Sequence, residues 1–254
     1  MRGKATQGIE CNEHIIFIEF IHRIKMQGDL YMKAVGLVTE YNPFHNGHLY
    51  HLNKAMELTG ADISVAVMSG DFVQRGEPAV LDKYTRASMA LNSGVNLVVE
   101  LPVNYAVSSA ESFAAGALKV LDYIKADSIA FGSESGDIER LSKLAHVLCD
   151  NEDTLYKEIS KYTANARQKT VEKLTDKDTA AMLTSSNIIL AVEYLKAIIK
   201  NNYAIKPYTI KRQGDSYNDT DIRSDYASAT ALRENLKNGM KKCIDSDCVA
   251  GDSI

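Results

Sequence analysis

One stretch constrains this chain before any other: Lys33–Leu52, KAVGLVTEYNPFHNGHLYHL. It opens on a short apolar run, Ala34–Val38, that reads as a buried strand. A turn follows, carrying Asn42-Pro43 and Asn46-Gly47. The period then changes, and Leu49, Leu52, Ala55 and Met56 fall on one face of a helix. A strand, a tight turn and a helix N-terminus together make an anion site, because the N–H groups of the first helical turn and the helix dipole point to one place. Three of the six histidines, His45, His48 and His51, lie in this turn and helix start. The imidazoles of His45 and His48 add donors to the same place.

The rest of the chain repeats that unit. Thr59-Gly60 gives a helix stop, and Asp62–Met68 (DISVAVM) reads as a second strand, ended by Ser69-Gly70-Asp71. A helix is expected over about Lys83 to Ser93, with Gly94 as its stop, then a third strand, Asn96–Leu101, closed by Pro102. An alanine-rich helix from Ser108 to Ile124 leads to a fourth strand, Ser128–Phe131, and to Gly132-Ser133-Glu134-Ser135-Gly136. Four strand–helix units with continuous apolar strands predict an α/β fold, a doubly wound parallel sheet covered on both faces. Ligands in such sheets sit beyond the strand C-termini where the strand order reverses. If the first and fourth strands are neighbours there, the HNGH turn and Gly132-Ser133-Glu134 face one pocket.

Residues 137–200 read as an additional, mainly helical region. Thr184-Ser185-Ser186-Asn187 starts a helix whose stripe is Ile188, Ile189, Val192 and Leu195. Lys206-Pro207 is expected to end the following turn, and Tyr208–Arg212 to form a fifth strand. Gly214–Asp225 is polar, Ser228-Ala229-Thr230-Ala231-Leu232-Arg233 opens a short helix, and Lys241–Ile254 has no clear period.

The chain has 254 residues, a formal net charge of -4 and a pI near 5.9. This excludes a general basic footprint for nucleic acid. The one local basic run is Lys196, Lys200, Lys206, Lys211 and Arg212. The four cysteines, Cys11, Cys149, Cys243 and Cys248, are scattered without a CxxC pair, which fits reduced thiols in the cytoplasm rather than zinc or a disulfide framework. No apolar run reaches the ~20 residues of a membrane span. Residues 1–31 read as an N-terminal extension with Met32 opening the domain proper. The organisation expected is therefore 1–31, a nucleotide-binding catalytic unit over 32–236, and a short tail over 237–254.

Four further places carry candidate chemistry. Ser69–Pro78 (SGDFVQRGEP) is either a long connection with turn residues or a substrate loop in which Arg75 holds a carboxylate or phosphate. Lys83 and Arg86, near the next helix start, are either a solvated face or reach a triphosphate. Ser228-Ala229-Thr230-x-x-Arg233 is either a capped helix start or a second phosphate clamp of hydroxyls and guanidinium. Arg212 and Asn187, taken singly, suit structural roles better than ligand binding.

His45-Asn46-Gly47-His48 resembles the HxGH signature of the nucleotidyltransferase superfamily, in which a glycine lets backbone and phosphate approach closely. SATALR is similar to that superfamily's ISSTxIR clamp. Taken in order, KAVGLVTEYNPFHNGHLYHL, VAVMSGDFVQRGEPAVLDKYTRASMAL, SGVNLVVELP, FGSESGDI, SSNIIL, PYTIKR and SATALR resemble successive motifs of the tRNA(Met) cytidine acetate ligase family. The resemblance covers residues 32 to about 236.

It implies a Rossmann-like nucleotidyltransferase fold and an enzyme that activates acetate with ATP as acetyl-adenylate, then acetylates N4 of the wobble cytidine of elongator tRNA(Met). His45 and His48 would be catalytic. The implied ATP-binding positions are Val38, Thr39, Glu40, Tyr41, Asn42, Pro43, Phe44, His45, Asn46, Gly47, His48, Leu49, Tyr50 and His51, with Gly132, Asn187 and Arg212. Mg²⁺ would be carried on the triphosphate, with no metal bound by the protein alone. No membrane and no protein partner is implied. The sequence departs from the family at Ser186-Asn187, where Asn-Asn is usual, and stops soon after SATALR, where the family continues into a helical region that helps hold tRNA. Two other readings stay open: a small-molecule adenylyltransferase of the same superfamily, and a shortened nucleotide-binding remnant.

Overall fold

The computed structural model describes residues 32–74, 76–153, 171–174, 183, 185–211 and 233. Its elements are β1 (Ala34–Thr39), α1 (Asn46–Thr59), β2 (Ile63–Ser69), α2 (Lys83–Asn92), β3 (Leu97–Leu101), a short α3 (Val103–Ala106), α4 (Ala110–Tyr123), β4 (Ser128–Ser133), α5 (Ile138–Asp150), α6 (Ser186–Asn201) and β5 (Lys206–Lys211). The strands form one sheet in the order β3-β2-β1-β4-β5, with every neighbouring pair parallel. The chain winds outward from β1 to β3, then returns to the other side of β1 with β4. The strand order therefore reverses between β1 and β4, as the doubly wound reading requires.

The apolar runs form strands because both faces of the sheet are covered. Val35 and Leu37 of β1 pack with Leu52 and Ala55 of α1 and with Met89 and Ala90 of α2. On the opposite face, Val65 and Val67 of β2 and Ile129 and Phe131 of β4 pack on Phe113, Leu118 and Leu121 of α4 and on Leu144 and Val192. At Gly36, α4 comes so close that a Cβ would lie 2.4 Å from Leu121 Cδ2. A side chain there would have to displace that of Leu121.

Helix starts follow local chemistry. Asp82 caps α2 by accepting from the N–H groups of Tyr84 and Thr85, and Ser109 caps α4 by accepting from Ser112. The helix expected from Ser108 is thus α4, preceded by α3, which begins directly after Pro102. Lys206-Pro207 does not end a turn. Both residues belong to β5, with Pro207 opposite Ile129. The N–H of Lys206 donates inward to Asp127 O at 3.0 Å, so by alternation the Pro207 nitrogen faces the open edge of the sheet, where a missing donor costs nothing. No helix among the described residues is long and apolar enough to cross a membrane.

Candidate active site

The site grows from the end of β1. Tyr41, in the left-handed region at φ 44°, turns the chain out of the strand. Tyr41, Asn42 and Phe44 are buried, and the next four residues, His45 to His48, are half-buried. The rings build a stack. Tyr41 meets Phe44 edge-on at 4.7 Å and His48 at 4.9 Å, while Phe44 lies 5.6 Å from His48. His45 covers His48 at 3.8 Å between centroids. The aromatic floor fixes the His48 ring, and burial pushes the Tyr41 phenol well above its ordinary value.

His45 is the N-cap of α1, with extended backbone and its side chain accepting from Gly47. The bond runs from Gly47 N to His45 Nδ1 at 3.1 Å. An accepting Nδ1 puts the proton of the neutral ring on Nε2, which turns the donor edge away from the helix. Gly47 serves a second purpose beyond close backbone approach: its Cβ would stand 2.9 Å from His45 Cε1. The tilted imidazole pair thus sits at the positive end of a 14-residue helix, a setting that favours an anion.

β1 pairs directly with β4, so the turn that follows β4 opens on the same edge. Ser133 Oγ lies 2.8 Å from Thr209 Oγ1 and accepts from Gly136 N at 2.9 Å, which docks the Gly132–Gly136 turn on β5. Asn187, in the first turn of α6, donates from Nδ2 to Glu134 Oε1 at 2.8 Å. The structure therefore brings the Val38–His51 segment, Gly132 and Asn187 to one edge of the sheet. Arg233 joins them: its Nη1 donates to Asn42 O at 3.0 Å. Arg75, Arg212, Ser228 and Thr230 lie outside the described residues.

Other charges go elsewhere. Lys83 Nζ is held by Glu100 at 2.9 and 3.0 Å and has Asp71 at 3.9 Å; its bond to Glu100 raises its pKa. Arg86 is fully buried and donates to main-chain carbonyls, so it offers no face to a triphosphate. Of the basic run, Lys196 is buried against Glu193 at 2.7 Å, and Lys200 is shared by Glu111 and Glu152. Neither belongs to an open cationic patch. Within the ATP-binding segment, the Glu40 carboxylate accepts from Gln74 N at 3.0 Å, and Asn42 Oδ1 accepts from Val80 N at 2.8 Å. Those two side chains are engaged by the loop after β2. Glu134 was expected in the turn that faces the pocket, but its partner Asn187 stands 53 positions away, beyond any local pattern. Among the described residues, no group of three His, Cys, Asp or Glu side chains is placed to hold a metal ion.

The family described as HIGH Nucleotidyl Transferase matches residues 32–250. The tRNA(Met) cytidine acetate ligase of Caldanaerobacter subterraneus subsp. tengcongensis is 50% identical over 215 residues, covering 81% of this chain and 53% of that protein. This chain belongs to the tRNA(Met) cytidine acetate ligase family. Two crystal structures of Thermotoga maritima TmcAL, each 43% identical, share the fold. The apo form I superposes with a TM-score of 0.80, over 86% of this chain and 54% of that one. The form bound with alpha-thio ATP superposes at 0.73, over 82% and 51%. The chain thus spans about half the length of the ligase family members it matches.

Proposed function

We propose that this chain carries the adenylate-forming chemistry of an ATP-dependent acetate ligase that makes N4-acetylcytidine at the wobble position of elongator tRNA(Met) in the cytoplasm. The observation that carries this reading is the stacked His45–His48 pair at the N-terminus of α1, beside the β1–β4 switch point. An accepting Nδ1 on His45 leaves Nε2–H to donate to a phosphate oxygen. His48, held by Tyr41 and Phe44, donates beside it. Their bonds strengthen as negative charge develops on the α-phosphate, which is where such donors accelerate a reaction.

ATP supplies the activated phosphorus and the leaving pyrophosphate, and the acetate carboxylate is the attacking group. Catalysis is then positioning and charge stabilisation, and no covalent protein nucleophile is required. The backbone of Val38–His51, with Gly132, Asn187 and Arg212, forms the nucleotide side of the site. Arg233, anchored on Asn42 O, supplies a guanidinium to the phosphates, and the SATALR motif assigns the Ser228 and Thr230 hydroxyls to the same clamp. The donor set, two imidazoles and a helix N-terminus, fits a triphosphate. Mg²⁺ is expected on the triphosphate, where it would neutralise charge. In the second step the cytidine amine attacks the acyl carbonyl and AMP leaves. The family match over residues 32–250, the fold shared with Thermotoga maritima TmcAL and the alpha-thio ATP bound by that protein support this reading.

ATP–pyrophosphate exchange with and without acetate, beside a direct ATP-binding measurement, tests it. Exchange should depend on acetate, and His48→Ala should lower it by about 10²–10³-fold. Full exchange in that variant would overturn the role of His48. ATP binding without any exchange in the wild type would overturn the function.

A further inference from the structure

Arg86 is unusual for a charged residue on a helix. It is fully buried, and each of its bonds ends on a backbone carbonyl. Nε donates to Leu81 O at 3.0 Å. Nη1 donates to Glu40 O at 2.6 Å and to Ser69 O at 3.1 Å. Nη2 donates to Gly70 O. Glu40 leaves β1 for the HNGH turn, Ser69 and Gly70 leave β2, and Leu81 ends the loop that β2 feeds. One rigid guanidinium fork therefore joins three chain segments that the sheet itself no longer pairs.

The loop it touches is closed on itself. Phe72 and Pro78 form an antiparallel bridge, Val73 N donates to Glu77 O at 3.0 Å, and Ala79 N donates to Asp71 O at 2.9 Å. Such a loop moves as a unit, and its outer contacts with the HNGH side are the Glu40 and Asn42 side chains, which hold the amides of Gln74 and Val80. Arg86 ties the Glu40 carbonyl to those of Ser69 and Gly70 one residue beyond the last β1–β2 pair, Thr39 with Met68, at the base of both contacts.

We propose that Arg86 is a positioning residue: by gathering the carbonyls of Glu40, Ser69, Gly70 and Leu81 it locks the 70–82 loop against the segment that carries His45 and His48. This rests on the adenylate-forming function above, and assigns Arg86 the placement of the reacting groups rather than contact with them. Lysine is a poor replacement, since one ammonium cannot reproduce a planar fork that spans several acceptors.

The test compares the full chain with Arg86→Lys by amide hydrogen exchange and by acetate-dependent ATP–pyrophosphate exchange. The amides of Gln74 and Val80 should exchange about tenfold faster or more in the variant, while those of α4 and β4 stay unchanged. The kcat should fall about tenfold or more, with KM for ATP kept within about threefold. Wild-type protection of residues 71–80 in Arg86→Lys overturns the proposal. Should that variant lose its cooperative fold, Arg86→Gln decides in its place. It removes the buried charge and keeps one amide donor group in place of the fork; faster exchange over 71–80 is again expected, and wild-type protection there overturns the proposal. A wild-type chain with no pyrophosphate exchange would sink the proposed function, and amide protection would still decide the role of Arg86.

Discussion

The imidazole of His45 lies on that of His48, centroids 3.8 Å apart and planes 31° from parallel. Two charged rings so close would repel by about 4 kcal/mol at an effective dielectric of about 20. His45 is held by its cap bond to Gly47. Asparagine supplies a comparable cap acceptor but no imidazole. In His45→Asn the melting temperature should stay within about 2 °C of wild type, while acetate-dependent exchange falls about 100-fold. A thermal melt beside the exchange assay separates the two roles. His45→Ala should lose activity equally and, in addition, about 1 kcal/mol of stability.

Tyr41 and Tyr194 are both buried, and burial raises both phenols well above the ordinary value. For Tyr194 the Glu40 carboxylate adds to the rise. Below about pH 10 the phenols are neutral in the folded and unfolded chain alike. Above it the unfolded chain ionises and the folded one resists, so stability falls as pH rises. Denaturant titrations between about pH 9.5 and 11 should show a mean slope shallower by about 0.8 kcal/mol per pH unit in Tyr41→Phe than in wild type. Equal slopes would contradict the burial of this phenol.

Gly36 is pressed by Leu121, and the contact is close enough for a double-mutant cycle. Gly36→Ala should cost about 1–3 kcal/mol by overpacking, and Leu121→Ala about 2–5 kcal/mol by loss of a buried side chain. The two sites share one space. The double variant should therefore be more stable than the sum of the single losses implies, by about 0.5–3 kcal/mol. Additive losses in chemical denaturation would place the two residues out of contact.

Lys83 lies between Glu100 and Asp71, with both carboxylates about half exposed. An ion pair of this kind is screened by water and contributes under about 1 kcal/mol. Lys83→Met should leave stability within that range and keep exchange within about threefold of wild type. A loss of activity comparable to that of His48→Ala would return Lys83 to the triphosphate.

The element order was legible because the first four strands are mainly apolar runs and α1, α2, α4 and α5 each start on a capping side chain. Ala34–Val38, Asp62–Met68, Asn96–Leu101 and Ser128–Phe131 lie within one or two residues of β1 to β4. The HNGH turn was legible for the same local reason: its cap bond spans two residues. Pro207 misled, since proline reads as a breaker unless the strand is known to be an edge strand with that nitrogen facing outward. α3 was too short, at four residues, to leave a periodic trace beside Pro102.

Strand identity, helix capping and the histidine pair are decided by residues within a few positions of one another, where backbone geometry leaves few choices, and the sequence alone determined them. The destinations of the long polar side chains were decided only by the tertiary structure. Arg86 reaches back 46 residues to Glu40, Asn187 reaches 53 to Glu134, and Arg233 reaches 191 to Asn42. An arginine that binds a phosphate and one that gathers backbone carbonyls look the same in a sequence. Only the packing of the sheet and its crossovers decides which acceptors stand within reach.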